Sequence, residues 1–300
     1  MAAPTAPSTY GHVLVSPGPL LLVHAHPDDE TITCGGVMAL ATAAGVPVTL
    51  VTCNRGEQGE VIPPELAHLT GPALGEHREG ELAKACAALG VTDHRWLAGA
   101  GTWQDSGMER VGEGILAAAP SVIAPGSFAG PDGFDAQVAS LVEVLREVRP
   151  QVVVTYDAHG GYGHPDHVRA HDITIAAMET VDPDATEITV AATAAAHDEV
   201  AAGLAVLRRR SWLGLPVPPV EDLPTVPDAT ITTRVPLGGA RIRKLAALRA
   251  HATQIAVYDD GSEPPVFALS NGLAQPVLDA ECFVHLRGPA SAPDDLFPPS

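Results

Sequence analysis

Basic side chains are scarce in this chain of 300 residues: 17 Lys and Arg face 36 Asp and Glu, a formal net charge of −19 at pH 7. Only Lys84 and Lys244 are lysines. So acidic a surface repels phosphate backbones and anionic membrane faces. Nucleic-acid and membrane partners are set aside, and a neutral or cationic small molecule is favoured. Aromatics make up only 4% of the residues, so aliphatics and alanine must fill the core that a 46% hydrophobic composition permits. Cysteine is limited to Cys34, Cys53, Cys86 and Cys282, with no C-x-x-C pair. That density argues against a disulfide framework and fits reduced thiols in a cytosol. There is no run of about 18 apolar residues to span a bilayer. No basic residue precedes Arg55, so a signal-peptide n-region is missing. A cytoplasmic location is expected, and a homo-oligomer is compatible with the composition.

What is present is an alternation of short aliphatic runs and helical patterns. Residues 1–19, rich in Ala, Pro, Ser and Gly, read as a flexible leader. Leu20–Val23 predicts a buried strand, Cys34–Ala44 a helix stopped by Gly45, and Val46–Cys53 a second strand. Gly75–Leu89 predicts a helix ended by Gly90; His94–Leu97 a third strand; Gln137–Val148 a helix; Val152–Tyr156 the clearest strand of all. Residues 98–133 are irregular and read as a long loop, of the kind that closes over sites. Strand and helix alternating through residue 180 predict an α/β fold, a mostly parallel sheet with helices on both faces. Such sheets place their sites beyond the carboxyl ends of strands, where the strand order reverses. Past residue 181 the alternation breaks at the proline-dense Pro216–Pro227. A strand near Thr230–Val235, a helix near Gly239–Ala252 and strands near Val266–Leu269 and Cys282–Leu286 predict a smaller α+β part. The expected division is therefore a catalytic domain over 20–180 and a C-terminal subdomain over 181–300 that completes the substrate pocket.

The most informative feature is a near duplication. His26-Pro27-Asp28-Asp29 follows the first strand, and His164-Pro165-Asp166-His167 follows Val152–Tyr156 after a glycine loop. Proline keeps the histidine before it out of helical geometry and itself suits the first helical turn. A lone His-Pro-Asp is ordinarily a capped turn, and Asp28 and Asp29 would then serve only to oppose a helix dipole. Two such clusters at strand ends of one sheet ask for more. Catalytic zinc sites use three His, Asp or Glu ligands and leave one position open. His26 and Asp29, three apart, can focus on one point, and His167 can supply the third ligand from the other strand end. His164 then aims at substrate, and Asp28 stays free as a general base.

The stretches VHAHPDDE (23–30) and TYDAHGGYGHPDHV (155–168) resemble the LmbE-like (PIG-L) deacetylase family. VTCNRGEQGEVI (51–62), REGEL (78–82), QDSGM (104–108) and KLAALRAHATQ (244–254) narrow the resemblance to its actinobacterial branch, the N-acetylglucosaminyl-inositol deacetylases of mycothiol biosynthesis. The resemblance implies a Rossmann-like sheet and a metal-dependent amidohydrolase that frees acetate from an amino sugar. It implies one zinc per subunit on His26, Asp29 and His167, with ferrous iron as an alternative in the cell. It implies Asp28 as base, His164 as acid or oxyanion stabiliser with Asp166 orienting it, and Tyr162 as a mobile polariser of the carbonyl. Arg78 and Asp105 are implied to bind the sugar–inositol substrate.

Other positions carry two readings each. Arg78 is otherwise an exposed helical arginine paired with Glu79 or Glu81, and Asp105 and Glu60 are sugar-hydroxyl acceptors or plain turn residues. His251 and Gln254 either reach the pocket mouth or pack against the main domain. Cys34 and Cys53 read as small buried residues. Rival functions are the sister amidase that cleaves mycothiol S-conjugates, a deacetylase of an antibiotic intermediate, and a non-catalytic sugar- or nucleotide-binding protein. No G-x-G-x-x-G follows Leu20–Val23, which weakens the nucleotide reading.

Overall fold

The computed structural model describes residues 18–110 and 117–298. All but the last two residues of the expected leader, and part of the expected long loop, lie outside the described residues. The strands are β1 (Leu20–His24), β2 (Val48–Thr52), β3 (Asp93–Trp96), β4 (Glu109–Arg110), β5 (Ala117–Ala118), β6 (Val152–Thr155), β7 (Thr189–Ala194), β8 (Thr233–Pro236), β9 (Ala256–Tyr258), β10 (Val266–Ala268), β11 (Gln275–Pro276) and β12 (Ala280–Arg287). The α-helices are α1 (Asp29–Ala43), α2 (Pro72–Leu89), α3 (Phe134–Val148), α4 (Pro165–Val181), α5 (His197–Leu207) and α6 (Ala240–Ala250).

β1, β2 and β6 are buried at every residue, which is why they read as unbroken aliphatic runs rather than as alternating ones. Seven strands form one sheet in the order β3-β2-β1-β6-β7-β12-β8. The first five run parallel and β12 is antiparallel to both of its neighbours. Leu20 and Leu22 join the core that α1, α2 and α6 cover, through Cys34, Met38, Leu82, Leu89 and Ala247. Leu21 and Val23 join the opposite core under α3 and α4, with Leu141, Leu145, Ile173 and Ala177. Helices thus cover both faces, as expected. With so few aromatics, only three phenylalanines (Phe128, Phe283 and Phe297) rank among the largest fully buried side chains.

The chain runs outward from β1 to β2 and β3, then returns to place β6 on the other side of β1. Strand order reverses between β1 and β6, which makes their carboxyl ends the natural site of the fold. β6 pairs with β1 in the register Leu20↔Val152 and Leu22↔Val154, so the two strands end side by side. Each leads directly to one of the two His-Pro-Asp clusters.

Two expectations change. α1 begins at Asp29, five residues before Cys34, because Asp29 and Glu30 favour the positive end of a helix more than the polar T-I-T stretch opposes it. The division at 180/181 falls inside one sheet: β7, β8 and β12, all from 181–300, supply three of its seven strands. β7, with the sequence TVAATA, carries too much alanine to announce itself as a strand; burial between β6 and β12 decides it. β9, β10 and β11 form a separate three-stranded sheet. A buried ion pair joins the late elements to α1. Lys244 Nζ donates to Glu281 Oε1 at 2.7 Å and to Ile32 O at 2.8 Å, while Glu281 accepts the N–H groups of Gly36 and Val37, each at 2.8 Å. A Cβ at Gly36 would overlap the buried Leu237 side chain, which would have to shift.

Candidate metal centre and active site

The two clusters converge. Asp29 Oδ2 lies 3.3 Å from His26 Nδ1 and 3.3 Å from His167 Nε2. His26, Asp29 and His167 are all buried. The outer partners set the ring tautomers. His26 Nε2 lies 3.1 Å from Asp166 Oδ2, an acceptor, so Nε2 carries a proton and Nδ1 is the nitrogen turned toward Asp29. His167 Nδ1 faces the carbonyl oxygen of Gly160 at 3.2 Å, which leaves the Nε2 lone pair free; that atom is buried and has no hydrogen-bond partner among the described residues. A histidine whose other nitrogen donates to a carboxylate or carbonyl is prepared to ligate a metal. Asp166 is itself braced, accepting from Asn54 Nδ2 at 2.9 Å and from the N–H of Ser106 at 3.1 Å. Tyr156 Oη donates to Asp29 Oδ2 at 2.8 Å, and its ring stacks on His167 with centroids 4.1 Å apart.

Among the described residues, two overlapping donor groups are spaced to hold a metal ion, His26/His164/His167 and His26/Asp105/Asp166. Hydrogen bonding argues against the members that differ from the sequence expectation. His164 Nδ1 accepts the N–H of Asp166 at 3.1 Å, so its proton sits on Nε2, the nitrogen that faces the site. A protonated nitrogen cannot ligate. In the second group, His26 Nε2 would have to give up the proton it shares with Asp166. The donor set His26, Asp29 and His167, with one orphaned buried nitrogen, therefore fits a divalent cation of the zinc type. Negative charge is in excess around it: burial opposes a charge on His26, but Asp105, Asp166 and Asp29 outweigh burial and hold its pKa well above the ordinary value.

Asp28 has φ 121° and ψ −36°, a region that side chains rarely enter. Burial raises its carboxyl to about 6 even though the Arg78 guanidinium pulls the other way. Arg78 itself is buried rather than exposed, and is not paired with Glu79 or Glu81. Its Nη1 donates to Gly56 O at 2.7 Å, and its Nη2 donates to Pro27 O and, at 3.2 Å, to Asp28 Oδ2. His164 is pushed down to about 3 by burial first, then by His26 and His167, so it is neutral near pH 7. The main chain of Asp166, rather than its carboxylate, orients the His164 ring.

Asp105 lies at the rim of the cluster, with Oδ1 3.6 Å from His26 Nε2 and 3.9 Å from His164 Nε2; its Oδ1 accepts from Gly107 N and its Oδ2 from Gln58 N. It also lines a cleft of ≈ 440 Å³ with Arg55, Glu57 and Gln58. Glu60 is exposed and lines an adjoining cleft of ≈ 500 Å³ with Ile62, Thr70 and Ser270. Tyr162 is 53% exposed and stands edge-on to His167 with ring centroids 4.9 Å apart. His251 is fully buried, so the packing reading holds for it. Tyr156 and Asn54 are the residues that sequence reasoning passed over. Their signal was positional: each stands just beyond the end of a central strand, in a segment already marked as functional.

Comparisons with known proteins show the family. A family model described as PIG-L, GlcNAc-PI de-N-acetylase, matches residues 21–178. A 1D-myo-inositol 2-acetamido-2-deoxy-alpha-D-glucopyranoside deacetylase of Saccharomonospora viridis is 49% identical over 282 residues, covering 93% of this chain and 99% of the relative. A protein of the same name from Actinosynnema mirum is 47% identical over 288 residues, with 95% and 98% covered. Among solved structures, the deacetylase–teicoplanin complex superposes with a TM-score of 0.53 at 17% identity, covering 89% of this chain and 98% of that one, a likeness of fold. Matched over more than half its length, with both His-Pro-Asp clusters inside the matched segment, the chain belongs to the PIG-L family of de-N-acetylases.

Proposed function

We propose that this protein hydrolyses the N-acetyl group of N-acetylglucosaminyl-inositol (1D-myo-inositol 2-acetamido-2-deoxy-α-D-glucopyranoside), giving glucosaminyl-inositol and acetate in mycothiol biosynthesis. One observation carries the reading: nearly half of all positions, over more than nine-tenths of the chain, are identical to proteins named for that reaction. The geometry supports it. His26, Asp29 and His167 would hold one zinc, or ferrous iron in the cell, which when bound supplies Lewis acidity and a nucleophile at neutral pH. Asp28, basic enough at about 6 and still ionised at pH 7, takes a proton from the attacking water. His164 acts as a neutral donor through Nε2–H toward the developing oxyanion, with Tyr162 above it. Asp28, protonated in the first step, returns that proton to the leaving amine. Asp105 would accept from a sugar hydroxyl, and Glu60, on the cleft that adjoins it, from a hydroxyl farther along the substrate. Arg78 acts mainly by fixing Pro27 and Asp28.

The test is acetate release from N-acetylglucosaminyl-inositol, before and after a chelator and after adding back zinc or ferrous iron. Release that is abolished by chelation and restored by metal is expected, at a higher rate than amide cleavage of a mycothiol S-conjugate. Faster cleavage of the conjugate would assign the sister amidase instead, and no hydrolysis of either would end the proposal.

A further inference from the structure

Glu30 and His251 are fully buried and stand outside the chemistry described above. They are 221 positions apart, and His251 Nε2 lies 2.8 Å from Glu30 Oε1. The same oxygen accepts from Thr31 Oγ1 at 2.5 Å. The other carboxylate oxygen, Oε2, accepts the main-chain N–H of Asp28 at 2.8 Å. The main chain of His251 is held where α6 ends, its N–H on Leu248 O and its carbonyl accepting from Gln254 N and Ile255 N, and its ring meets Glu30 Oε1 and Thr31 Oγ1 through Nε2.

The peptide at Asp28 is the strained one, at φ 121°. Strain persists only where surrounding structure over-determines it. Three fixtures do so here: Arg78 from α2 on Pro27 O and Asp28 Oδ2, the first turn of α1 on Asp28 O, and Glu30 on Asp28 N. Helix capping alone would need only one oxygen of Glu30, and an exposed residue would suffice. Here the second oxygen is withdrawn from water and tied to the late helix α6. We propose that Glu30 and His251 are positioning residues for hydrolysis: the pair holds the Asp28 peptide in its strained conformation so that the carboxylate faces the reacting amide. The inference rests on the role proposed for Asp28, and the experiment separates the two.

Four full-length, metal-loaded proteins form a cycle: wild type, Asp28→Asn, Glu30→Met and the double variant. Each is measured for kcat, KM, bound metal and melting temperature. Glu30→Met is expected to lower kcat about 10²-fold, the cost of a displacement near 1 Å, with KM and metal content held. In the Asp28→Asn background the same change should cost almost nothing further, because the residue it positions is already gone. An equal drop in both backgrounds, or none in the wild type, overturns the clamp. Full activity in Asp28→Asn alone would instead sink the role of Asp28. Should Glu30→Met fail to fold, His251 decides: Gln keeps a donor at the Nε2 position and Leu removes it. His251→Gln is expected near wild-type kcat and His251→Leu about 10²-fold below it at unchanged metal content. Equal values for the two variants overturn the proposal.

Discussion

Asp28 carries two opposing demands, and burial wins over Arg78 to leave its carboxyl near 6. Helix start and neighbouring cation would each depress a carboxylate, so desolvation by the pocket walls is what keeps Asp28 useful as a base. Asp28→Ala should retain the metal and lose about 10²- to 10⁴-fold in kcat; metal analysis after gel filtration checks the first half, acetate release the second. Loss of metal in that variant would make Asp28 a ligand. His26→Ala and His167→Ala should each empty the site on dialysis, and full metal content in both would refute the donor set. Asn54→Ala removes a brace on Asp166, and through it on His26. Metal affinity should fall about tenfold, as for other outer partners of ligating histidines, and a competition titration with a chelating dye measures it. The two clusters that hold the proposed ligands were legible in the sequence because proline after each histidine marks a break where a strand meets a helix. Tyr156 and Asn54 were not, because a strand-end tyrosine or asparagine looks the same whether or not a partner waits 100 residues away. Arg78 misled for a related reason: its helix face reads as polar, and only the loop carrying Gly56 and the Pro27 turn bury it.

At the scale of elements, α1 is anchored at both ends of its function. Its first turn carries Asp29, and its middle is gripped by Glu281 and Lys244. Lys244→Met would leave the Glu281 carboxylate buried with no cation, and breaking such a pair costs about 3 kcal/mol. A lowered melting temperature with the cooperative transition retained is expected; an unchanged one would show the pair to be idle. The turn between α4 and β7 gives a pH-dependent case. Asp182 accepts N–H groups of Thr186, Glu187 and Ile188 at 2.9 to 3.1 Å. Desolvation raises its pKa, but those three donors outweigh it and hold the carboxyl below the usual range. A carboxylate lowered in the folded state stabilises fully above its unfolded pKa of about 4 and loses that contribution as pH falls through the folded value. Asp182→Asn should therefore cost about 2 kcal/mol at pH 7, with a gap in melting temperature that narrows below pH 4. A gap constant with pH would refute the charge argument.

Across the whole molecule, four of the five parallel strands were readable; β8 and β12 were expected as strands but not as members of the same sheet, and β7 was not expected at all. β1, β2 and β6 announce themselves as aliphatic runs followed by loops, so the switch point between β1 and β6 could be placed from the sequence. β7, β8 and β12 join the same sheet through pairings between distant segments, and nothing local in an alanine-rich or proline-flanked strand says which edge it will meet. The four cysteines give a global check. All are buried and free. Burial pushes Cys86 up to about 12 and Cys282 to about 11. The native protein should be inert toward a thiol reagent at pH 8, with all four sites reacting in denaturant; rapid native labelling would mean local opening.

β12 comes last of the strands in the chain yet lies inside the sheet, between β7 and β8. A ribosome therefore exports the metal ligands and the whole parallel half before the segment that seals β7 exists. Until residues 280–287 emerge, β7 offers a bare row of N–H and C=O groups to any stray strand, and β8 has no neighbour to join. Misassembly during synthesis thus has a defined window, and removal of this one late segment should turn a folded enzyme into an aggregating chain even though no catalytic group is lost.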